Sequence, residues 1–374
     1  MNKRLLYAGC LTAAIVLLAG CYDRLNMEDA NFPLALGMDV DNQNKFHVYM
    51  SSPEFSKNAK KKHHEIGEQA LSLRQSRVQQ DAHTAGVFQG RKYQVILVGK
   101  RILQQDDWFR ILDVIFRDSR NTVTDRIIAF NGEVPDIIYL DRKDTPYLPI
   151  MLRDMVDTKS TRSETVKITA QELHRQIYEK GITPSISEVS LDKNKKVKLD
   201  GTALLDHRGK YAGTLNAQET VLLKILQKDT NKVVSLTLPI PGKTKTGPFD
   251  TDKVSIHAEQ IKTKIKTSYV DGKFKFDIRI QMKVALLERL FPMDIRKKGG
   301  ELENMIAEQT RKQMIGLIRK IQKHEIDPIG LGLYARAYEY KQYKEVSEHW
   351  GKALAEADIT VFVKTAIQSM GPVK

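Results

Sequence analysis

Residues 261–284 read IKTKIKTSYVDGKFKFDIRIQMKV. Two runs with a period of two flank Asp271-Gly272. In the first, Ile261, Thr263, Ile265, Thr267 and Tyr269 alternate with Lys262, Lys264, Lys266 and Ser268. In the second, Phe274, Phe276, Ile278, Ile280, Met282 and Val284 alternate with Lys273, Lys275, Asp277, Arg279, Gln281 and Lys283. Successive side chains on a strand point to opposite faces, so each run predicts a strand with one buried face and one wet face. Asp-Gly between such runs signals a tight hairpin turn. Downstream, Leu302, Met305, Ile306, Leu317, Ile318 and Ile321 recur at helical spacing within Glu301–Lys323. A second helix is expected over about Leu333–Val346, and Ile359–Val363 reads as a closing strand. An antiparallel sheet covered on one side by helices satisfies this pattern.

Upstream, the signals are shorter. Phe46–Met50 pairs with the stretch before Asp41-Asn42-Gln43-Asn44 as a hairpin. Lys57–His64 reads as a polar loop, and Ile66, Ala70, Leu71 and Leu73 fit one helical face. Tyr93–Val98 is a buried-strand candidate, Gln105–Phe116 a helix and Thr122–Phe130 a strand. Ala170–Glu179 is expected as a helix ended by Gly181 and Pro184. Around 200–250, Thr202–Leu205 and Tyr211–Leu215 read as strands. Asn216 with Glu219 forms a capping-box pattern, and Val233–Ile240 is a further strand. Pro241-Gly242 and Gly247-Pro248 mark a linker. The reading is an α+β chain of three mixed α/β domains, at 21–199, 200–250 and 251–374, behind a leader at 1–20. The 374 residues allow that many domains at roughly 150 residues each.

The leader sets the compartment. Lys3 and Arg4 precede an apolar run from Leu5 to Leu18, too short for the about twenty residues of a membrane span. It fits a secretory signal. Leu18-Ala19-Gly20-Cys21 resembles a bacterial lipoprotein signal, in which the cysteine thiol takes diacylglycerol and cleavage leaves Cys21 first. Cys10 departs with the leader. With only two Cys in the chain, disulfide frameworks and Cys-rich metal sites are excluded. Mean hydropathy of −0.40 argues against a polytopic membrane protein. The formal charge of +14, or +12 without Lys3 and Arg4, calls for an anionic partner. An exported, lipid-anchored chain makes that partner an anionic membrane surface, or wall polymers near the anchor, and not nucleic acid. Lys60–Lys62, Lys195-Lys196 and Arg296–Lys298 are the basic runs on offer.

Catalytic and metal motifs fail on inspection. Asp39–Asn44 lacks the central Gly of a calcium loop, and Met50 stands where its closing Glu belongs. Ser190-x-x-Lys193 and Lys245-Thr246-Gly247 match two motifs of penicillin-recognising enzymes, but the intervening S-D-N is absent and Ser190 falls in a polar loop. His63-His64-Glu65 is not a zinc-protease signature, and His174 and His207 stand apart. Gly86–Gly90 lacks the Lys-Ser/Thr of a phosphate loop. No catalytic residue, metal site or cofactor is assigned.

Several segments, in order, resemble the Ger(x)C family, the lipoprotein C subunits of spore germinant receptors. They are Cys21-Tyr22-Asp23-Arg24 with Leu34–Asp39, and Tyr93–Gly99 with Ile111-Leu112-Asp113 and Arg117-Asp118. Further on come Gly201–Leu204 with Gly213–Asn216 and Glu219-Thr220, then Asp327–Gly332 with Trp350. The family usually has Trp where Tyr22 stands; both aromatics suit a bilayer interface. The resemblance implies a three-domain α/β protein on the outer face of the inner spore membrane. It implies integral membrane A and B subunits as partners, and no enzyme activity. A lipoprotein that itself binds the germinant in an interdomain cleft is the alternative. An extracytoplasmic hydrolase is a third reading, without a matching nucleophile and base.

Overall fold

The computed structural model describes residues 30–371 apart from 56–57, 85–86, 89–91, 141–144, 231–232, 244, 246 and 250. In chain order the first half runs Ala30–Asn31 (β1), Ala35–Val40 (β2), Phe46–Pro53 (β3), His63–Gln69 (β4), Leu73–Asp81 (α1), Val87–Phe88 (β5) and Val95–Gly99 (β6). It continues with Asp113–Arg117 (α2), Arg126–Phe130 (β7), Val134–Ile138 (α3), Leu148–Thr161 (α4), Ala170–Tyr178 (α5), Ser185–Leu191 (β8), Val197–Leu205 (β9) and Tyr211–Leu215 (β10). β1 and β5 pair as a short parallel ribbon. The other strands form one sheet in the order β10-β9-β8-β7-β6-β2-β3-β4. The four central strands are parallel, and antiparallel hairpins flank them on both sides.

Helices cover both faces of the parallel strands. Leu36, Met38, Ile96 and Val98 face one core with Trp108, Leu112 and Leu173. Ala35, Val95, Leu97, Ile128 and Phe130 face the other with Ile137, Leu152 and Val156. Strands buried on both faces need no polar alternation, so they read as continuous apolar runs such as Val-Ile-Leu-Val.

The second half runs Ala217–Gln227 (α6), Val233–Pro239 (β11), Lys253–Val270 (β12), Lys273–Arg289 (β13), Ile295–Lys323 (α7), Leu331–Tyr338 (α8), Tyr340–Val346 (α9), Trp350–Ala355 (α10) and Asp358–Ser369 (β14). Its sheet has the order β11-β12-β13-β14. Phe276, Ile278, Ile280 and Val284 are buried with Leu222, Ile225, Leu302, Ile306, Leu317 and Ile321 under the helices. The hairpin register is the expected one, Ile265 opposite Ile278 and Thr267 opposite Phe276. The mixed α and β architecture agrees with the expected class.

Several expectations are corrected. β14 pairs with β13 in parallel, because the chain crosses back over the sheet through α7–α10 before returning. Residues 200–250 make no layer of their own. Val197–Leu205 finds backbone partners on β8 and extends the first sheet, and Val233–Pro239 pairs with β12 in the second. The helix expected through Ile66 and Ala70 is strand β4, and α1 starts only at Leu73. β4 is a half-buried edge with one large apolar residue, Ile66, so its period of two is muted; Leu71 is 87% exposed. Ser190 lies on strand β8, not in a loop. The helix expected over Gln105–Phe116 is a 3-10 segment, Trp108–Leu112, followed by short α2. Cys21 lies outside the described residues.

Candidate functional site

The segment Asp327–Gly332 packs against Trp350 and the other half of the molecule. Asp327 is fully buried. Its Oδ1 accepts the Gly330 N–H (2.8 Å), and Oδ2 accepts the Gly332 N–H (2.8 Å) and the Trp350 indole N–H (2.8 Å). Burial pushes its carboxyl upward and these donors oppose the shift. The backbone of Asp327 also exchanges bonds with Thr183 at the start of the β8 region. Thr183 N–H donates to Asp327 O (2.9 Å), and Asp327 N–H donates to Thr183 Oγ1 (3.0 Å). A Cβ on Gly332 would lie 2.7 Å from Gly181 Cα, so the two backbones touch here. Arg336 grips Glu179 through two bonds (2.8 and 3.2 Å), and Lys180 pairs with Glu348. The indole of Trp350 then packs on Phe274 and Tyr343, carrying the seam into the four-stranded sheet.

A second seam lies at Gly201–Thr220. Gly201 has φ of +138°, and a Cβ there would lie 2.1 Å from Leu215 O, so only glycine fits the irregular step in β9. Thr165 Oγ1 donates to Gly201 O (2.6 Å), and Thr220 Oγ1 donates to Thr202 Oγ1 (3.1 Å). Asn216 and Glu219 close the expected capping box on α6. Lys320 of α7 donates to Thr214 O (2.6 Å) and Glu219 Oε1 (3.1 Å), tying the long helix to the edge of the first sheet. α6 buries Leu222, Leu223, Ile225 and Leu226 in a core that also holds Leu204 and Leu215 from the first sheet. One hydrophobic core thus runs across the boundary between the halves.

Most of Leu34–Asp39 and Tyr93–Gly99 is also turned inward, whereas Asp113 and Arg117 pair with each other on the exposed surface (2.6 Å). Asp39 is buried, accepting the N–H groups of Val40 and Val134 (2.9 Å each). A Cβ on Gly99 would lie 2.4 Å from Asp39 Oδ1. These contacts explain Leu34–Asp39 and Tyr93–Gly99 as packing requirements.

A family model described as a spore germination protein N-terminal domain matches residues 23–191. Another, described as spore germination B3/GerAC like, C-terminal, matches residues 200–371. The chain belongs to the Ger(x)C family. Spore germination protein B3 of Bacillus subtilis (strain 168) is 21% identical over 96% of each chain. Spore germination protein KC of the same organism is 20% identical over 99% of this chain and 97% of that one. A crystal structure of the GerBC protein shares the fold, with a TM-score of 0.58 and 19% identity over 89% of this chain and 97% of that one. Ger(x)C membership makes the chain a component of a spore germinant receptor and not an enzyme. The C-terminal match begins inside β9, so two strands of the eight-stranded sheet come from the C-terminal segment of the family pattern.

Other polar groups gather in two places, of which the sequence singled out only His63-His64-Glu65. Glu188 on β8 is buried and its carboxyl is pushed upward by that burial. It accepts bonds from Tyr211 (3.3 Å) and Thr214, with Lys100 at 3.8 Å. The cleft of 220 Å³ beside α4 is lined by His63, Glu65, Ile138, Tyr147, Met151 and Val197, among others. There Ser51 Oγ lies 3.2 Å from Glu65 and 3.0 Å from the Tyr147 hydroxyl, and His63 Nδ1 lies 2.5 Å from Glu65. Burial raises the Tyr147 hydroxyl above its ordinary range. Ser51 has no imidazole within reach, because Glu65 stands between it and His63, so the group is not a nucleophile with its base. Apart from His63–Glu65, these contacts join side chains at least fourteen residues apart, and no local spacing announces them. Among the described residues no group of His, Cys, Asp and Glu could hold a metal ion. His63 and His64 point to different partners, Glu65 and Asn31.

Proposed function

We propose that this receptor component is a lipoprotein, cleaved before Cys21 and diacylated on its thiol. It sits on the outer face of the inner spore membrane. It docks there on the integral membrane A and B subunits, beside an anionic lipid surface, and the nutrient response depends on that docking. The observation that carries this reading is Leu18-Ala19-Gly20-Cys21 behind a short apolar run, in a chain of this family. Among the described residues no helix is long and apolar enough to cross a membrane, so attachment is assigned to the acyl chains. Two chains hold where one barely does, at about 0.8 kcal/mol per buried CH₂. The burial of Leu36–Asp39, Val95–Val98, Asp327 and Trp350 supports a scaffold whose partner contacts lie on its outer faces. Mass analysis of the membrane-extracted protein should find a diacylated Cys21 at the new N-terminus. Spores with Cys21→Ala, or lacking the chain, should lose the nutrient response of this receptor. An intact leader, or a normal response in a strain without homologous receptors, refutes the proposal.

The germinant-binding alternative has one feature in its favour, the Tyr147 cleft. It mixes apolar walls with Glu65 and His63, and it is smaller than the roughly 300 Å³ at which ordinary ligand sites begin. Calorimetry with amino acids and sugars tests it. Binding heat abolished by Tyr147→Ala supports it, and no heat removes it.

A further inference from the structure

Among the described residues, helices occupy the buried side of the β12–β14 sheet and leave its other side exposed. Lys262, Lys264 and Lys266 on β12, Lys275 and Arg279 on β13 and Lys364 on β14 all stand exposed on it. The register places Lys264 directly opposite Arg279, and Lys262 and Lys364 on either side of Gln281. Like charges facing each other across strands weaken a sheet. The register also sets Lys266 opposite Asp277 and Lys275 opposite Asp358, which offsets part of this repulsion. Among the described residues, none of these cations has a carboxylate within ion-pair distance. The face also carries Glu259, Asp277 and Asp358, but Asp277 accepts a bond from Thr360. Phe362 is 55% exposed in the same row as Lys264 and Arg279, with the guanidinium 5.8 Å from the ring centroid.

We infer that this face lies against the anionic headgroups of the membrane to which the chain is tethered. A pocket binds one anion by converging donors on it. Here the cations are instead spread over a grid of about 6.7 Å along the strands and 4.8 Å between them, which suits a continuous anionic plane. Phe362, on the edge strand β14, provides one apolar contact beside Arg279. The inference rests on the lipoprotein reading, which supplies the nearby membrane. Eight residues lie between Cys21 and Ala30, a reach of roughly 30 Å when extended, so an anchored Cys21 keeps the folded body near the leaflet. The face is then a second, reversible attachment that orients the body.

The test uses the mature chain, residues 21–374, made without lipid, on vesicles of phosphatidylglycerol with phosphatidylcholine. It should bind these, release as salt rises, and ignore phosphatidylcholine alone. Joint replacement of Lys262, Lys264, Lys275 and Arg279 by Gln should weaken binding at least tenfold. Joint replacement of Lys195, Lys196, Arg296 and Lys297 by Gln removes the same charge elsewhere and should weaken it less than about threefold. Equal losses, no binding by the unaltered chain, or equally tight binding to soluble polyglutamate each overturn the inference. Acetylation footprinting of the unaltered chain needs no variant: vesicles should protect Lys264 and Lys275 and not Lys195, and the reverse pattern overturns it. Because the chain here is unacylated, these outcomes are independent of the state of Cys21, which mass analysis reads separately.

Discussion

The eight-stranded sheet is covered on both faces, and the four-stranded sheet on one. In the first, every residue of β2, β6 and β7 is buried. In the second, β13 alternates buried Phe276, Ile278 and Ile280 with exposed Lys275, Arg279 and Gln281 and half-buried Asp277. The difference divides the work. The first sheet is spent on internal packing and can tolerate little change on either side. The second keeps one side for something outside the chain, and the seam at Asp327 and α6 holds the two in a fixed relation.

The contrast can be broken most forcefully with a lysine. Leu97→Lys puts an ammonium into a fully buried strand and should cost more than about 4 kcal/mol, leaving little folded protein in urea titrations. Gln281→Lys, on the wet face of the other sheet between Lys262 and Lys364, should cost less than about 1 kcal/mol, through like-charge repulsion. If both fold equally well, the two sheets do not differ as described.

Next in size is the seam. Asp327→Ala strands the N–H groups of Gly330, Gly332 and Trp350, each at about 1–3 kcal/mol. Gly332→Ala forces apart backbones that touch Gly181. Each should lower the melting temperature and split one calorimetric transition into two, one per sheet. A single unshifted transition would mean the seam does not couple them.

A smaller effect concerns pH. Asp125, just before β7, is 1% exposed; Thr122 donates to its Oδ1 (2.7 Å) and Oδ2 has no partner. Burial raises it from 3.8 to about 7. The folded chain therefore keeps a proton that the unfolded chain sheds. As pH rises from about 4 to about 7, the native protein should lose stability against Asp125→Asn by up to about 1.4 kcal/mol per unit. Parallel curves for the two proteins would place the charge elsewhere. The smallest effect is expected on the basic face, where Lys264→Ala or Lys275→Ala should change stability by less than about 0.5 kcal/mol, or raise it by relieving repulsion.

Legibility followed the same division. The β12–β13 hairpin, its register and its wet face could be read from Ile261–Val284, because one-sided burial writes a period of two into the sequence. The capping box at Asn216 and Glu219 was equally plain, since a cap needs particular side chains at fixed offsets. The two-sided sheet left only short apolar runs, which do not state order or partners. So β8 was missed, and β9 and β10 were assigned to a domain of their own, although Gly201 marks the irregularity by which β9 joins β8. α4 carries little periodic signal, because Pro146 and Pro149 both fall at its N-terminal end and only Pro149, Leu152 and Val156 are buried. For the site, Asp327–Gly332 and Trp350 stood out by family resemblance, but their role in joining the halves is a three-dimensional fact. Glu188, Tyr147 and Lys320 depend on contacts with distant residues and left no local signal.

The parallel return of β14 has a consequence for biogenesis. Its 12 residues pair with β13 only after the whole helical excursion from Ile295 to Ala355 has been made. So large a separation in sequence delays closure, because a long loop must be ordered first. While the nascent chain emerges, the flank of β13 stays open, a template for pairing with other chains. A stop codon shortly before Asp358 would make that interval permanent, turning a late checkpoint into a route to aggregation.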